Sequence, residues 1–224
     1  MGVVGDRLLD SLLTVLHARS DAQAASIAAF ELKGASHPQD EDTIKAFRRD
    51  KFVALDRDKA EFCYQLCRAT NVRRVVEVGT SYGVSTLYLA AAVRDNVRGT
   101  ADKGIVIGTE YEPAKAAAAK AHFAQAGLGD FIDLREGDLR ETLRDIPGPV
   151  DFVLMDVWVR MARPALELIY PHLRSGAVVV CDNTQTRRAD YADYFAFLND
   201  PANAFKTMTL PFSGGLELSV RCGS

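Results

Sequence analysis

A basic excess, a long apolar run and a paired-cysteine motif are all missing from this chain of 224 residues. Lys and Arg number 27 against 30 Asp and Glu, for a net charge of −3, so no global positive field draws the chain to nucleic acid or to acidic lipid. No apolar stretch approaches the ~18 residues that cross a bilayer, so no membrane association is expected. The four cysteines, Cys63, Cys67, Cys181 and Cys222, include no C-x-x-C pair, which excludes a zinc ribbon and a thioredoxin-type redox motif. Cys63 and Cys67 are four apart, on one face of a helix, and read as small buried hydrophobes. The N-terminus shows no charged-then-apolar leader, and Asp6 stands where myristoylation wants Ser or Thr. Together these absences predict a cytoplasmic protein. The balance that remains, 48% hydrophobic and 25% charged, is that of a folded globular chain.

The first third reads as helices. Leu8, Leu9, Leu12, Leu13, Val15 and Leu16 recur at helical spacing. Asp21 is a candidate N-cap for a second helix to Leu32, and further helical stretches cover 43–55 and 59–70. From residue 73 the rhythm changes to short β-branched runs alternating with helices. The predicted strands are Arg74–Val78, Gly104–Glu110, Phe131–Arg135, Phe152–Asp156 and Ala177–Cys181. The predicted helices between them are Val84–Val93, Pro113–Ala126, Leu139–Arg144 and Arg163–Leu173. That alternation specifies an α/β fold with a parallel sheet covered on both faces. After a helix at Tyr191–Asn199, Phe205–Leu210 and Leu216–Arg221 form a hairpin, which makes the last strand antiparallel. The division expected is a helical extension over residues 1–50 and an α/β domain over 51–224.

The loop Gly79-Thr80-Ser81-Tyr82-Gly83 joins the first strand to a helix, the place where open α/β sheets bind ligands. Three chemistries compete for it. A dinucleotide fingerprint, G-x-G-x-x-G, lacks its second glycine here. The nucleophile elbow G-x-S-x-G matches literally around Ser81, but only helices precede it, and the later histidines, His122 and His172, fall in helical segments. The third is an S-adenosylmethionine site. Glu77 stands two before Gly79, Glu110 ends the second strand where an acid can accept both ribose hydroxyls, and Asp138 follows the third strand beside the adenine position. Three such sites in order on consecutive strands favour this reading.

With these motifs, and with Phe52-Val53-Ala54-Leu55, Val153-Leu154-Met155-Asp156 and Val179-Val180-Cys181-Asp182-Asn183, the chain resembles the catechol and caffeoyl-CoA type O-methyltransferases, O-methyltransferase family 3. The resemblance spans about residues 51–221. It implies a Rossmann-like class I methyltransferase fold with a seven-stranded sheet in order 3-2-1-4-5-7-6. It implies S-adenosylmethionine held by Leu55, Glu77, Gly79, Ser81, Gly83, Ser85, Glu110, Tyr111, Asp138, Leu139, Asp156 and Trp158. It also implies a divalent cation on Asp156, Asp182 and Asn183, whose hard oxygens suit Mg²⁺, Mn²⁺ or Ca²⁺. Such a cation would acidify a chelating diol and align it for methyl transfer, with Asp156 as the catalytic residue. The partners so implied are a small, phenolic acceptor and a second copy of the chain, with residues 1–50 covering the pocket and joining subunits.

One departure bears on function. The family usually carries a general-base lysine three residues after the first metal aspartate. Val159 stands there, followed by Arg160, and arginine stays protonated. Met208 stands where a carboxylate near the second substrate hydroxyl would suit a catechol. A non-catalytic protein that binds S-adenosylmethionine or its product is therefore the rival reading. His37 facing the site, and Arg187 and Arg188 meeting an acidic acceptor, complete the candidates.

Overall fold

The computed structural model describes residues 2, 4–36, 40–186 and 188–223. Three helices come first. In α1 (Arg7–Asp21) the Asp6 carboxylate accepts the N–H groups of Leu8 and Leu9, and the i, i+3, i+4, i+7 set Leu9, Leu12, Leu13 and Leu16 is buried. Helices α2 (Ala24–Ser36) and α3 (Glu41–Arg48) follow, the latter capped by Asp40. Asp21 therefore closes the first helix instead of opening the second. The helix expected over 43–55 also stops early. Beyond it, the backbone N–H groups of Phe52 and Ala54 donate to Gln23 Oε1 and Ser20 Oγ, each at 3.0 Å. Those N–H groups are spent on side chains of the first helices, so residues 51–56 run as an extended strap.

Helix α4 (Arg57–Ala69) leads into the sheet. Its strands are β1 (Arg74–Val78), β2 (Ile105–Glu110), β3 (Ile132–Glu136), β4 (Val150–Met155), β5 (Leu173–Asp182), β6 (Phe205–Leu210) and β7 (Leu216–Arg221). The helices between are α5 (Val84–Val97), α6 (Pro113–Gln125), α7 (Leu139–Thr142), α8 (Val159–Ile169) and α9 (Ala192–Asn199). The sheet order is β3-β2-β1-β4-β5-β7-β6, as expected, with β7 antiparallel to both neighbours. Several expected boundaries moved, among them the end of α5, at Val97 instead of Val93, and the end of α8, at Ile169 instead of Leu173. Helix α8 begins four residues earlier than read, with Trp158 at its N-cap, and tolerates Pro164 inside, which gives up the bond to the Arg160 carbonyl. Strand β5 begins four residues earlier as well, pairing Leu173 with Val150 across a register shift.

Alternation along the central strands sorts the core into two layers. Val75, Phe152, Leu154, Val178 and Val180 face α1, α4 and α5. Val76, Val78, Val153, Met155, Val179 and Cys181 face α8 and α9. Helix α5 is buried from Val84 to Val93 on all sides, because the sheet lies under it while α1 and α4 cover it. The first helix is thus part of the same core as the sheet. No helix among the described residues is long and apolar enough to cross a membrane.

At the opposite end from the ligand loops, Asp151 ties three strands. Its Oδ2 accepts the N–H groups of Arg73 and Arg74 at 2.8 Å each, and its Oδ1 accepts Arg174 Nε at 2.5 Å. Burial alone would raise its pKa, but Arg174 and the two N–H groups outweigh it and hold the carboxyl below its ordinary value. Replacing Asp151 with Asn is expected to cost about 1–3 kcal/mol in urea unfolding at neutral pH. The folded pKa is lowered, so this contribution is complete above the unfolded carboxylate value of about 3.9 and is lost as pH falls through the lower folded value. The difference between Asp151→Asn and the parent should therefore shrink in strong acid.

Candidate functional site

The site is built at the carboxyl ends of β1, β2, β4 and β5. Where β1 ends, the chain must turn sharply into α5, and Gly79 and Gly83 take the left-handed φ values of +97° and +80° that this turn requires. A Cβ on Gly79 would overlap the Asp156 carbonyl oxygen, so the loop lies directly against the end of β4. Ser81 also sits at positive φ, +51°. The tie that holds this turn is Glu77. It is wholly buried and accepts the hydroxyls of Ser85 at 2.7 Å, Thr80 at 2.9 Å, and Thr86. Burial raises its pKa, and the three hydroxyls counteract that.

Glu110, at the end of β2, accepts the Ser81 N–H through Oε2 at 2.7 Å and the Glu112 N–H through Oε1 at 2.8 Å. Each oxygen keeps a second lone pair for a ligand diol. Tyr111 follows, 70% exposed. Beyond β3, Asp138 caps α7 and is held by Arg140, whose guanidinium depresses the Asp138 pKa to about 2. Leu139 is buried behind it. Trp158 is 43% exposed, with the Arg48 guanidinium 5.9 Å from its ring. The strap closes the other side. Ser81 Oγ reaches the Val53 carbonyl at 3.4 Å, the Tyr82 hydroxyl donates to the Asp50 carbonyl at 3.2 Å, and Leu55 is buried beneath.

The acidic end gathers Glu77, Asp156 and Asp182. Asp156 is partly accessible. Burial, then the Asp182 and Glu77 charges, push its carboxyl up to about 7. Asp182 has its Oδ1 2.7 Å from the ammonium of Lys59, while its Oδ2 accepts the Asn183 side-chain amide at 2.9 Å. Lys59 is 1% exposed and also reaches Asp56 at 2.8 Å. Burial works against its charge, but the two carboxylates outweigh burial and raise its pKa. Asn183, at φ +59°, packs against Gly214 of the β6–β7 loop.

The sites read from sequence therefore converge, with four adjustments. Glu77 and Ser85 face each other, making them supports of the loop. Val159 packs into the apolar layer under α8. Arg188 stacks on Phe195 at 3.7 Å and pairs with Thr209 and Glu217, so its guanidinium is engaged in holding the loop after β5. His37 and Arg187 lie outside the described residues. Lys59 was not anticipated. It stands four residues before Cys63 and eight before Cys67, on the stripe already read as buried, and a charge on such a stripe requires a partner.

Residues 76–184 match the family described as a methyltransferase domain. Catechol O-methyltransferase of Mycobacterium tuberculosis is 32% identical over 132 residues, 58% of this chain and 57% of that protein. The chain spans about half the length of the curated relatives it matches. The O-methyltransferase of Bacillus cereus, solved in complex with SAH, superposes with a TM-score of 0.66 at 18% identity, covering 87% of this chain and 97% of that one. The O-methyltransferase TomG of Streptomyces achromogenes, solved in complex with SAM, gives 0.65 at 22%, covering 87% and 96%. With the strand order, these neighbours make the fold that of the class I methyltransferases.

The Gly79 contact gives a direct check on this turn. Gly79→Ala is expected to destabilise the fold by roughly 2–4 kcal/mol, because strain at positive φ adds to a backbone overlap. Gly137, at φ +125° with its nearest neighbour 3.8 Å from a Cβ, should lose less on the same change. Thermal melts of the two variants compare them.

Proposed function

We propose that this protein transfers a methyl group from S-adenosylmethionine to a hydroxyl of a small, phenolic acceptor. The observation that carries the reading is the buried Glu77 cradle with Glu110 beside it, in a methyltransferase domain whose relatives are named O-methyltransferases. The residues fit the cofactor. The Gly79–Gly83 turn leaves room for close backbone approach, Glu110 offers two acceptor oxygens to a ribose, and Tyr111 and Trp158 offer exposed ring faces to an adenine. Leu55, Asp138 and Leu139 would complete that wall, with Ser85 behind it as a support of the loop. When bound, the cofactor supplies an electrophilic methyl on a sulfonium.

The chain's own part is to orient and to take a proton. Asp156 follows the last residue of β4 beside the glycine turn, and its carboxyl, raised to about 7, suits a general base at neutral pH. We assign it the acceptor's hydroxyl proton, the task for which Val159 is unfit. The divalent cation implied by the resemblance, Mg²⁺, Mn²⁺ or Ca²⁺ on Asp156, Asp182 and Asn183, does not enter this mechanism. Both Asp182 oxygens are engaged by Lys59 and by Asn183, whose amide NH₂ is turned to the carboxylate.

Residues 1–50 are proposed as the cover of the pocket, since Arg48 lies over Trp158 and Arg49 is 3.6 Å from Glu112. A homodimer through the exposed Leu8, Val15 and Leu32 belongs to the same proposal, and light scattering tests it. The rival, a cofactor-binding protein without turnover, draws on Val159, an apolar side chain half-buried against the layer under α8, where the family carries a lysine.

Calorimetric titration with S-adenosylhomocysteine should show one site of micromolar affinity. Glu110→Ala should weaken it about tenfold, the worth of two lost hydrogen bonds. Asp156→Asn should abolish turnover on a panel of phenols and diols while leaving that affinity within about threefold. No heat with the parent protein would refute the cofactor assignment, and heat without turnover on any acceptor would favour the rival.

A further inference from the structure

The lysine missing at position 159 leaves the acidic end with three carboxylates, Glu77, Asp156 and Asp182, and the positive charge among them arrives from an unexpected element. Helix α4 begins at the end of the strap, and its third residue, Lys59, points inward along the stripe that buries Ala60, Cys63 and Cys67. The side chain is 1% exposed, and its ammonium lies 2.7 Å from Asp182 Oδ1 and 2.8 Å from Asp56 Oδ2. An ammonium is buried this deeply only with carboxylate partners. Asp182 is equally committed, since its other oxygen holds the Asn183 amide and its carbonyl accepts the Tyr191 hydroxyl.

A hard divalent ion binds carboxylate oxygen at about 2.0–2.6 Å. On Asp182 it would sit beside the ammonium, in a desolvated place where like charges repel strongly. To join the set, Asn183 would have to turn its amide away from Asp182 and lift its oxygen off the Gly214 loop. Occupation by metal thus requires two existing interactions to break.

We propose that Lys59 is the resident counter-cation of the Asp156–Asp182 pair, and that the site takes no divalent metal while the ammonium is in place. Lys59 acts as a positioning residue. It fixes Asp182 and, through Asp56, the end of the strap against β5, leaving Asp156 as the open carboxylate. The inference rests on reading this acid pair as the methyl-acceptor end of the site.

Electron paramagnetic resonance with Mn²⁺ tests it on the parent protein, Lys59→Met and Lys59→Arg, with S-adenosylhomocysteine calorimetry on the same samples. The parent should leave the free-ion Mn²⁺ signal unchanged into the millimolar range. Lys59→Met frees the Asp182 oxygen and should bind one Mn²⁺ about tenfold or more tightly. Lys59→Arg keeps the charge and should behave as the parent. Parent turnover, where measured, should survive EDTA. Micromolar Mn²⁺ binding by the parent overturns the proposal, and so does a folded Lys59→Met that binds no better. Should Lys59→Met fail to fold, the parent and Lys59→Arg titrations still decide. Loss of the homocysteine heat in the parent would count against the cofactor reading alone, because Mn²⁺ uptake is read independently.

Discussion

A carboxylate removed from water must be given hydrogen bonds or give up its charge, and the site is organised around one that is given three. Glu77 sits in β1, inside the sheet, and all three hydroxyls it accepts come from the turn after β1 and the first turn of α5. The strand end, the glycine turn and the buried helix are thereby one rigid unit. The N–H of Ser81 then reaches across to Glu110, so the geometry set at β1 is passed to β2. Position rather than reactivity is what this acid contributes. The proposed methyl transfer would depend mostly on alignment, for which a stiff frame is the first requirement.

At the other side of the turn the charge problem is solved differently. The Asp182 charge adds to burial in raising the Asp156 pKa, and a single ammonium settles on Asp182. The consequence is asymmetry. One carboxylate is bound on both oxygens and structural, while its neighbour is left partly accessible and inclined to hold a proton near neutrality. Two chemically identical groups acquire different roles from their surroundings, as pairs of acids in active sites commonly do.

The α/β alternation and the ligand-loop motifs were legible because they follow from periodicity and from glycines at strand ends, whereas the strand order was carried by the family resemblance. Glu110, Asp138, Asp156 and Asp182 fall at the ends of strands, where any reading of the sheet must place them. What escaped was set by tertiary partners. The helix over 43–55 looked continuous, yet Gln23 and Ser20 draw the backbone N–H groups of Phe52 and Ala54 away from it. The early start of α8 required accepting Pro164 within a helix, against local preference. Lys59 was invisible as a site residue because its spacing with Cys63 and Cys67 was read for burial alone, and its partner, Asp182, lies 123 positions further along the chain.

The extended strap has a thermodynamic meaning beyond its shape. It is fastened on one side to α1 and the turn that follows it, through Ser20 and Gln23, and on the other to the glycine turn, through Val53 with Ser81 and Asp50 with Tyr82. A segment shared in this way makes the two regions partners in linkage. Whatever free energy a ligand invests in ordering the glycine turn is felt by the N-terminal helices, and by reciprocity their docking sharpens the turn for a ligand. The helices that precede the sheet in sequence are, energetically, part of its support.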